Sequence, residues 1–172
     1  MTPDLLFDFT VDKTTNTIHI TREFAADLDL VWEAFTNAEI LDQWVAPQPW
    51  RAQTKEMDFR EGGRWLYAMI SPENVYHWSL TDFLTIEAKT SFTSKNSFSD
   101  ENGNQPAGTG FTFSITETKF SPGADYTTVR IIKKMADLAQ LEKFVAMGFR
   151  EGMQVTLKKL DVLLATLSKV QD

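Results

Sequence analysis

The sequence predicts one α+β domain: a curved antiparallel sheet wrapped around a long C-terminal helix, with two short helices after the first core strand. Three features predict it. Up to Met135, apolar and polar residues alternate in a succession of short segments, the period of half-buried strands. Between Asp27 and Trp44 that alternation gives way twice to helical spacing. From Ala136 to Ser168 there is no proline, and apolar residues recur every three or four positions along one stripe. The 172 residues fit a single domain, 1–172, with a hairpin strand and turn over 1–16 and a helical region over 137–168.

The elements follow in order. Leu5–Val11 reads as a strand, Asp12–Asn16 as a polar turn and Thr17–Phe24 as the returning strand, with Ile18, Ile20 and Phe24 on one face. Asp27 or Asp29 can cap the first short helix by accepting the unpaired N–H groups of its first turn. Asn37 can cap the second, which carries Ile40, Leu41 and Trp44 and ends at Ala46-Pro47-Gln48-Pro49. Strands over Arg51–Phe59 and Arg64–Ile70 flank a turn at Gly62-Gly63. Val75–Ile86 is a longer strand with room for a bulge, Thr90–Phe98 pairs with it, and Ser99–Gly108 is loop-like. Phe111–Ile115 alternates, Ser121-Pro122-Gly123 turns, and Thr127–Met135 is the last strand. Thirty helical residues would span about 45 Å, so a short helix near Asp137–Lys143, or a kink, is expected before the main helix. Gly148 and Gly152 are read as lying on the long helix, where they favour close packing, extra cavity volume, or both.

Composition narrows the function. The net charge is −7, from 24 acidic and 17 basic residues, and a diffuse acidic surface opposes nucleic-acid binding. No cysteine is present, which excludes disulfides and thiolate metal sites and suits a reducing cytoplasm. The N-terminus lacks the basic region of a signal peptide, and no apolar run reaches the length of a membrane span. A cytoplasmic protein, monomeric or weakly dimeric, is the expectation. Thirteen Phe and five Trp support two readings: a large aromatic core, or a cavity lined by rings.

Local motifs carry a resemblance. Thr21-Arg22-Glu23-Phe24-Ala25-Ala26, Val31-Trp32-Glu33-Ala34-Phe35-Thr36 and Asp42-Gln43-Trp44-Val45-Ala46-Pro47 are followed by Met57-Asp58-Phe59-Arg60-Glu61-Gly62-Gly63-Arg64-Trp65. Phe98-Ser99-Asp100-Glu101-Asn102-Gly103 and Met147-Gly148-Phe149-Arg150-Glu151-Gly152 complete the series. In this order they are similar to the branch of the SRPBCC (START-like, Bet v 1-like) superfamily related to the activator of the heat-shock protein 90 ATPase. The resemblance implies the helix-grip fold and a hydrophobic cavity between sheet and long helix. The superfamily includes binding proteins, polyketide cyclases and a chaperone activator, so it implies no single activity.

The expected function is binding of a small hydrophobic or amphipathic ligand, with no cofactor, metal or catalytic residue assigned. The candidate wall is Trp44, Trp65, Tyr67, Met69, His77, Trp78, Phe92, Phe111, Phe113, Phe149 and Met153. An enzyme of the cyclase type would draw acid–base chemistry from His77, Tyr67, Asp82 or Glu56. A chaperone-regulating module, with a role in stress response, would instead present an exposed apolar patch. The Asp100–Asn104 run lacks calcium-loop spacing and reads as a solvated turn.

Overall fold

The computed structural model describes residues 5–171, so the reading of Met1–Asp4 lies outside the described residues. Eight strands form one antiparallel sheet: β1 (Phe7–Asp12), β2 (Thr17–Phe24), β3 (Arg51–Met57), β4 (Arg64–Ile70), β5 (Tyr76–Glu87), β6 (Ser91–Ser99), β7 (Ser114–Pro122) and β8 (Thr127–Met135). Their spatial order is β1-β2-β8-β7-β6-β5-β4-β3, two meanders joined where β8 pairs with β2. Helices α1 (Leu28–Thr36) and α2 (Ala38–Trp44) follow β2, and α3 (Leu138–Ala146) and α4 (Phe149–Gln171) end the chain. This is the curved sheet and long C-terminal helix that the sequence predicts.

Local chemistry sets the boundaries. The Asp27 carboxylate accepts from the Leu30 N–H (2.9 Å), so Asp27 rather than Asp29 caps α1. Asn37 caps α2 through the Ile40 N–H (3.2 Å). The expected break ahead of the main helix falls at Gly148, whose φ of +92° favours a residue without a Cβ. Gly148 therefore separates α3 from α4, where the sequence reading placed it within the helix. A Cβ added to Gly152 would meet no atom within 4 Å, so close packing does not explain that glycine. The last hairpin also shifts: β7 begins at Ser114 and runs through Pro122, so Phe111 and Phe113 precede the strand.

Register sorts the inner face into rows. One runs Ile86, Phe92, Thr118, Ile131, Ile20, Phe9 across β5-β6-β7-β8-β2-β1. The next runs Phe83, Ser94, Thr116, Lys133, Ile18, Val11. A third runs Trp65, Thr81, Asn96, Ser114, Met135 from β4 to β8. Bulges between Thr54 and Glu56 and between Phe83 and Thr85 reset the parity of β3 and β5.

The core lies where α4 meets β1, β2 and β8. Ile18, Ile20, Val129, Leu157, Leu160 and Leu164 are buried there. One ion pair fixes the contact. The Arg22 guanidinium, 8% exposed, donates to Asp161 Oδ2 on α4 at 2.8 Å. It also donates to the Glu23 carbonyl and lies 4.9 Å from the Phe24 ring centroid. A guanidinium so enclosed is tolerated only with its hydrogen bonds met.

Asp161→Ala is expected to cost about 3 kcal/mol in urea unfolding, because it strands a buried cation. The double variant Arg22→Met/Asp161→Leu is expected to recover most of that loss, to within about 1 kcal/mol of the parent. A double variant no more stable than Asp161→Ala would show that the pair is not the cause.

Candidate functional site

Two groups of rings bracket the inner face. Trp32, Phe35, Trp44, Phe59, Phe83, Phe92 and Phe120 interlock at the α1–α2 end, mostly edge to face, for example Phe59–Phe83 at 4.8 Å and Trp32–Phe120 at 4.9 Å. The Trp44 indole donates to the Ala34 carbonyl (2.9 Å), which locks α2 onto α1. The second group is a chain at the opposite end: Phe98–Phe111 (5.2 Å), Phe111–Phe144 (5.9 Å), Phe144–Phe149 (4.5 Å) and Phe149–Phe9 (6.1 Å).

Between the two groups the inner face turns polar. Asn96 Nδ2 donates to Thr81 Oγ1 (3.1 Å) and Ser94 Oγ (3.4 Å), while Thr116 Oγ1 donates to Asn96 Oδ1 (2.6 Å). These four side chains tie β5, β6 and β7 together. On β4, Trp65 and Tyr67 stack at 3.8 Å and 14°. The Trp65 indole donates to Thr54 Oγ1 (2.9 Å), which donates to Asp42 Oδ1 (2.6 Å). Burial raises the Tyr67 pKa, partly offset by a hydrogen bond with Ser79, so the phenol keeps its proton. Tyr67, Ser79, Asn96, Phe98, Thr116 and Lys133 stay half-exposed although they face the side on which the helices lie. Phe144 of α3 lies over Lys133 at the β8 edge of this face.

Lys133 stands apart. It alternates with Val129, Ile131 and Met135 on the inner face, beside Thr116 in register. Its ammonium lies 5.4 Å from the Phe144 ring centroid. Among the described residues no carboxylate forms an ion pair with it and no hydrogen bond satisfies it. Protein on several sides disfavours the charged amine and lowers its pKa from 10.5 to about 8.

The predicted wall divides on this geometry. Trp65, Tyr67 and Met69 share the inner face of β4, and Phe111 and Phe149 belong to the second ring group. Met153 is half-buried on α4. Trp44 and Phe92 are buried in the first ring group and act as core. His77 lies at the exposed end of β5, 5.1 Å from Trp50. Two assignments need correction. Trp78 pairs in register with Ala68, opposite in parity to Tyr67, so it faces outward, where it stacks on Tyr76 and lies under Lys55. Phe113 precedes β7, is 41% exposed and lies under the outward-facing Lys95. Glu56 and Asp82 are also outside: Glu56 bonds Arg64 at 2.9 Å, and Asp82 pairs with Arg64 in register. Asp100 accepts from the Asn102 and Asn104 N–H groups (2.8 and 2.9 Å), an ordinary polar turn.

Thr81, Ser94, Asn96, Thr116 and Lys133 escaped the sequence reading. The signal was present as plain alternation, Phe92-Ser94-Asn96-Phe98 and Val129-Ile131-Lys133-Met135, in which polar residues take the inward positions. Elsewhere, a groove of about 490 Å³ opens on the outer side of α4 and is lined by Gln43, Val155, Lys159, Val162 and neighbouring residues. Among the described residues no helix is long and apolar enough to cross a membrane.

Comparison with known proteins places this geometry. A family model described as "Activator of Hsp90 ATPase homolog 1-like protein" matches residues 25–165. No curated protein matches the chain. The crystal structure of protein Ms6760 from Mycobacterium smegmatis is similar at 25% identity and a TM-score of 0.84, covering 94% of this chain and 97% of that one. A solution structure of an Arthrobacter aurescens protein is similar at 26% identity and a TM-score of 0.85, covering 92% and 91%. One from Staphylococcus epidermidis follows at 25% and 0.80, covering 91% and 94%.

Lys133 has a thermodynamic signature. Its folded pKa, about 8, lies below the unfolded value of 10.5, so the folded state resists protonation. The penalty is full below pH 8 and vanishes as pH rises through 10.5. Lys133→Met is therefore expected to stabilise the fold at pH 7 by about 1–2 kcal/mol, allowing for screening of a half-covered amine. Thermal melts should show the advantage shrinking steadily toward pH 10; an advantage independent of pH would mean the amine carries no penalty.

Proposed function

Because the chain belongs to the family of Activator of Hsp90 ATPase homolog 1-like proteins, we propose that it binds a small hydrophobic or amphipathic molecule in the cleft between the sheet and the C-terminal helices. One observation carries the reading. The middle of the inner face holds Thr81, Ser94, Asn96 and Thr116 bonded to one another, with Asn96 and Thr116 left half-exposed and a group of rings at either end. A few placed polar groups among apolar walls make the usual chemistry of a small-molecule site. A core built only for stability would fill those positions with aliphatic side chains.

A reaction is less well supported. Of the four acid–base candidates, Glu56 and Asp82 face outward. Tyr67 is engaged with Ser79, and His77 packs on Trp50. No acid–base pair converges among them. A protein-interaction role has one observation in its favour: Val155 and Val162, 50% and 67% exposed, project from the outer side of α4 beside the groove with α2. It predicts that Val162→Glu abolishes any stimulation of a chaperone ATPase while leaving ligands in the cleft untouched.

Native mass spectrometry and NMR on methyl-labelled methionine, run against lipids, flavonoids and polyketides, test the binding reading. A ligand in the cleft is expected to shift the Met69 and Met153 methyls and to leave Met147, which is 61% exposed, unchanged. If no compound binds at up to about 1 mM, the scale of the weakest specific complexes, the reading fails.

A further inference from the structure

The inner-face belt has a sense as well as a place. Asn96 uses both N–H bonds on the oxygens of Thr81 and Ser94 and its carbonyl on Thr116. The Thr81 and Ser94 hydroxyls therefore act as acceptors, and both residues are buried beneath the half-exposed Asn96 and Thr116. Beside them Lys133 brings an ammonium that no described acceptor satisfies. No carboxylate comes from the sheet: the inner-face neighbours of Lys133 on β7 and β2 are Thr116 and Ile18.

Resting on the binding reading above, we propose that the ligand is an amphipath carrying one carboxylate, seated against Lys133 and the Ser94–Asn96–Thr116 hydrogen bonds, with its apolar tail toward Phe98 and Phe111. One ammonium among neutral donors matches a single negative charge. The site lacks the guanidinium fork or helix N-terminus that a phosphate dianion would draw. A bound carboxylate also supplies a protein-side partner for the half-covered amine, so binding relieves the cost that folding leaves at Lys133.

Other charges near the amine are already engaged. On α3, Glu142 pairs with Lys13 (3.7 Å), and Lys143 donates to the Thr109 carbonyl (2.8 Å). On α4, Asp161 holds Arg22 and Arg150 lies over Phe9. The inner face adds Tyr67, held protonated, and His77 at its exposed end. Glu151 is exposed at the start of α4.

The test compares octanoate with octanol on the parent, Lys133→Met and Lys133→Arg, with the methionine methyls reporting location. Octanoate is expected to bind Lys133→Met at least about tenfold more weakly than the parent, the scale of one lost charge-assisted hydrogen bond. Lys133→Arg should retain most of the affinity, and octanol should bind all three alike. Affinity of the parent for octanoate should fall as pH rises above 8, where the free amine loses its charge, while affinity for octanol stays flat. If both probes shift Met69 or Met153 and Lys133→Met binds octanoate as the parent does, the carboxylate assignment is overturned and the binding reading survives. If neither probe shifts those methyls, the carboxylate assignment falls, while the binding reading is decided by the wider panel of lipids, flavonoids and polyketides. The variant is expected to fold at least as well as the parent, so weak binding cannot be put down to unfolding.

Discussion

The Arg22–Asp161 pair decides how the rest of the sheet must be covered. Eight strands at roughly 4.8 Å spacing present an arc about 34 Å wide, and one helix with its side chains is about 10–12 Å across. A single helix therefore shields two or three strands. Arg22 sits on β2, buried, with one carboxylate on α4 to neutralise it, so α4 is held over β1, β2 and β8. Every other strand needs different cover or a different composition on its inner face.

The molecule uses both solutions. The α1–α2 pair brings Trp32, Phe35 and Trp44 down on Phe83, Phe92 and Phe120, and that end of the sheet packs solid. The rows between this cluster and the Phe98–Phe111–Phe144 chain are polar on their inner face. Their residues are Tyr67, Ser79, Thr81, Asn96 and Thr116. These can bond to one another and to water, whereas valine or isoleucine would leave apolar surface wet. Polarity in the middle of the inner face thus follows from where the helix is anchored.

The architecture was legible because it rests on period and punctuation. Alternation gave the strands, Asp27 and Asn37 gave the caps, and the change to helical spacing after Met135 gave the C-terminal helices. The site was less legible because facing depends on register. Trp78 is next to Ser79, yet one faces outward and the other into the cleft, and the bulge in β5 moves the parity again beyond Phe83. Phe111 and Phe113 alternate cleanly but stand outside the strand, so alternation does not sort them onto a sheet face: Phe111 joins the second ring group and Phe113 lies under Lys95. Weighing aromatics as cavity formers drew attention to rings such as Phe92 and Trp44, which pack on other rings. The small polar residues between them, common on any sheet surface, carry no compositional signal of their own. Lys133 beside Lys134 reads as a solvated pair until pairing with Thr116 turns one of the two inward.

This separation of tasks bears on how the fold can serve several ligands. Proteins at 25–26% identity share the architecture over nine-tenths of this chain. Exchanging Lys133 or Asn96 leaves Arg22, Asp161 and the ring cluster untouched, so the chemistry of the cleft can change with small effect on folding. Lys133 is the clearest case. Folding alone would favour an apolar residue among Ile131, Ile18 and Phe144, because burial there disfavours the charged amine.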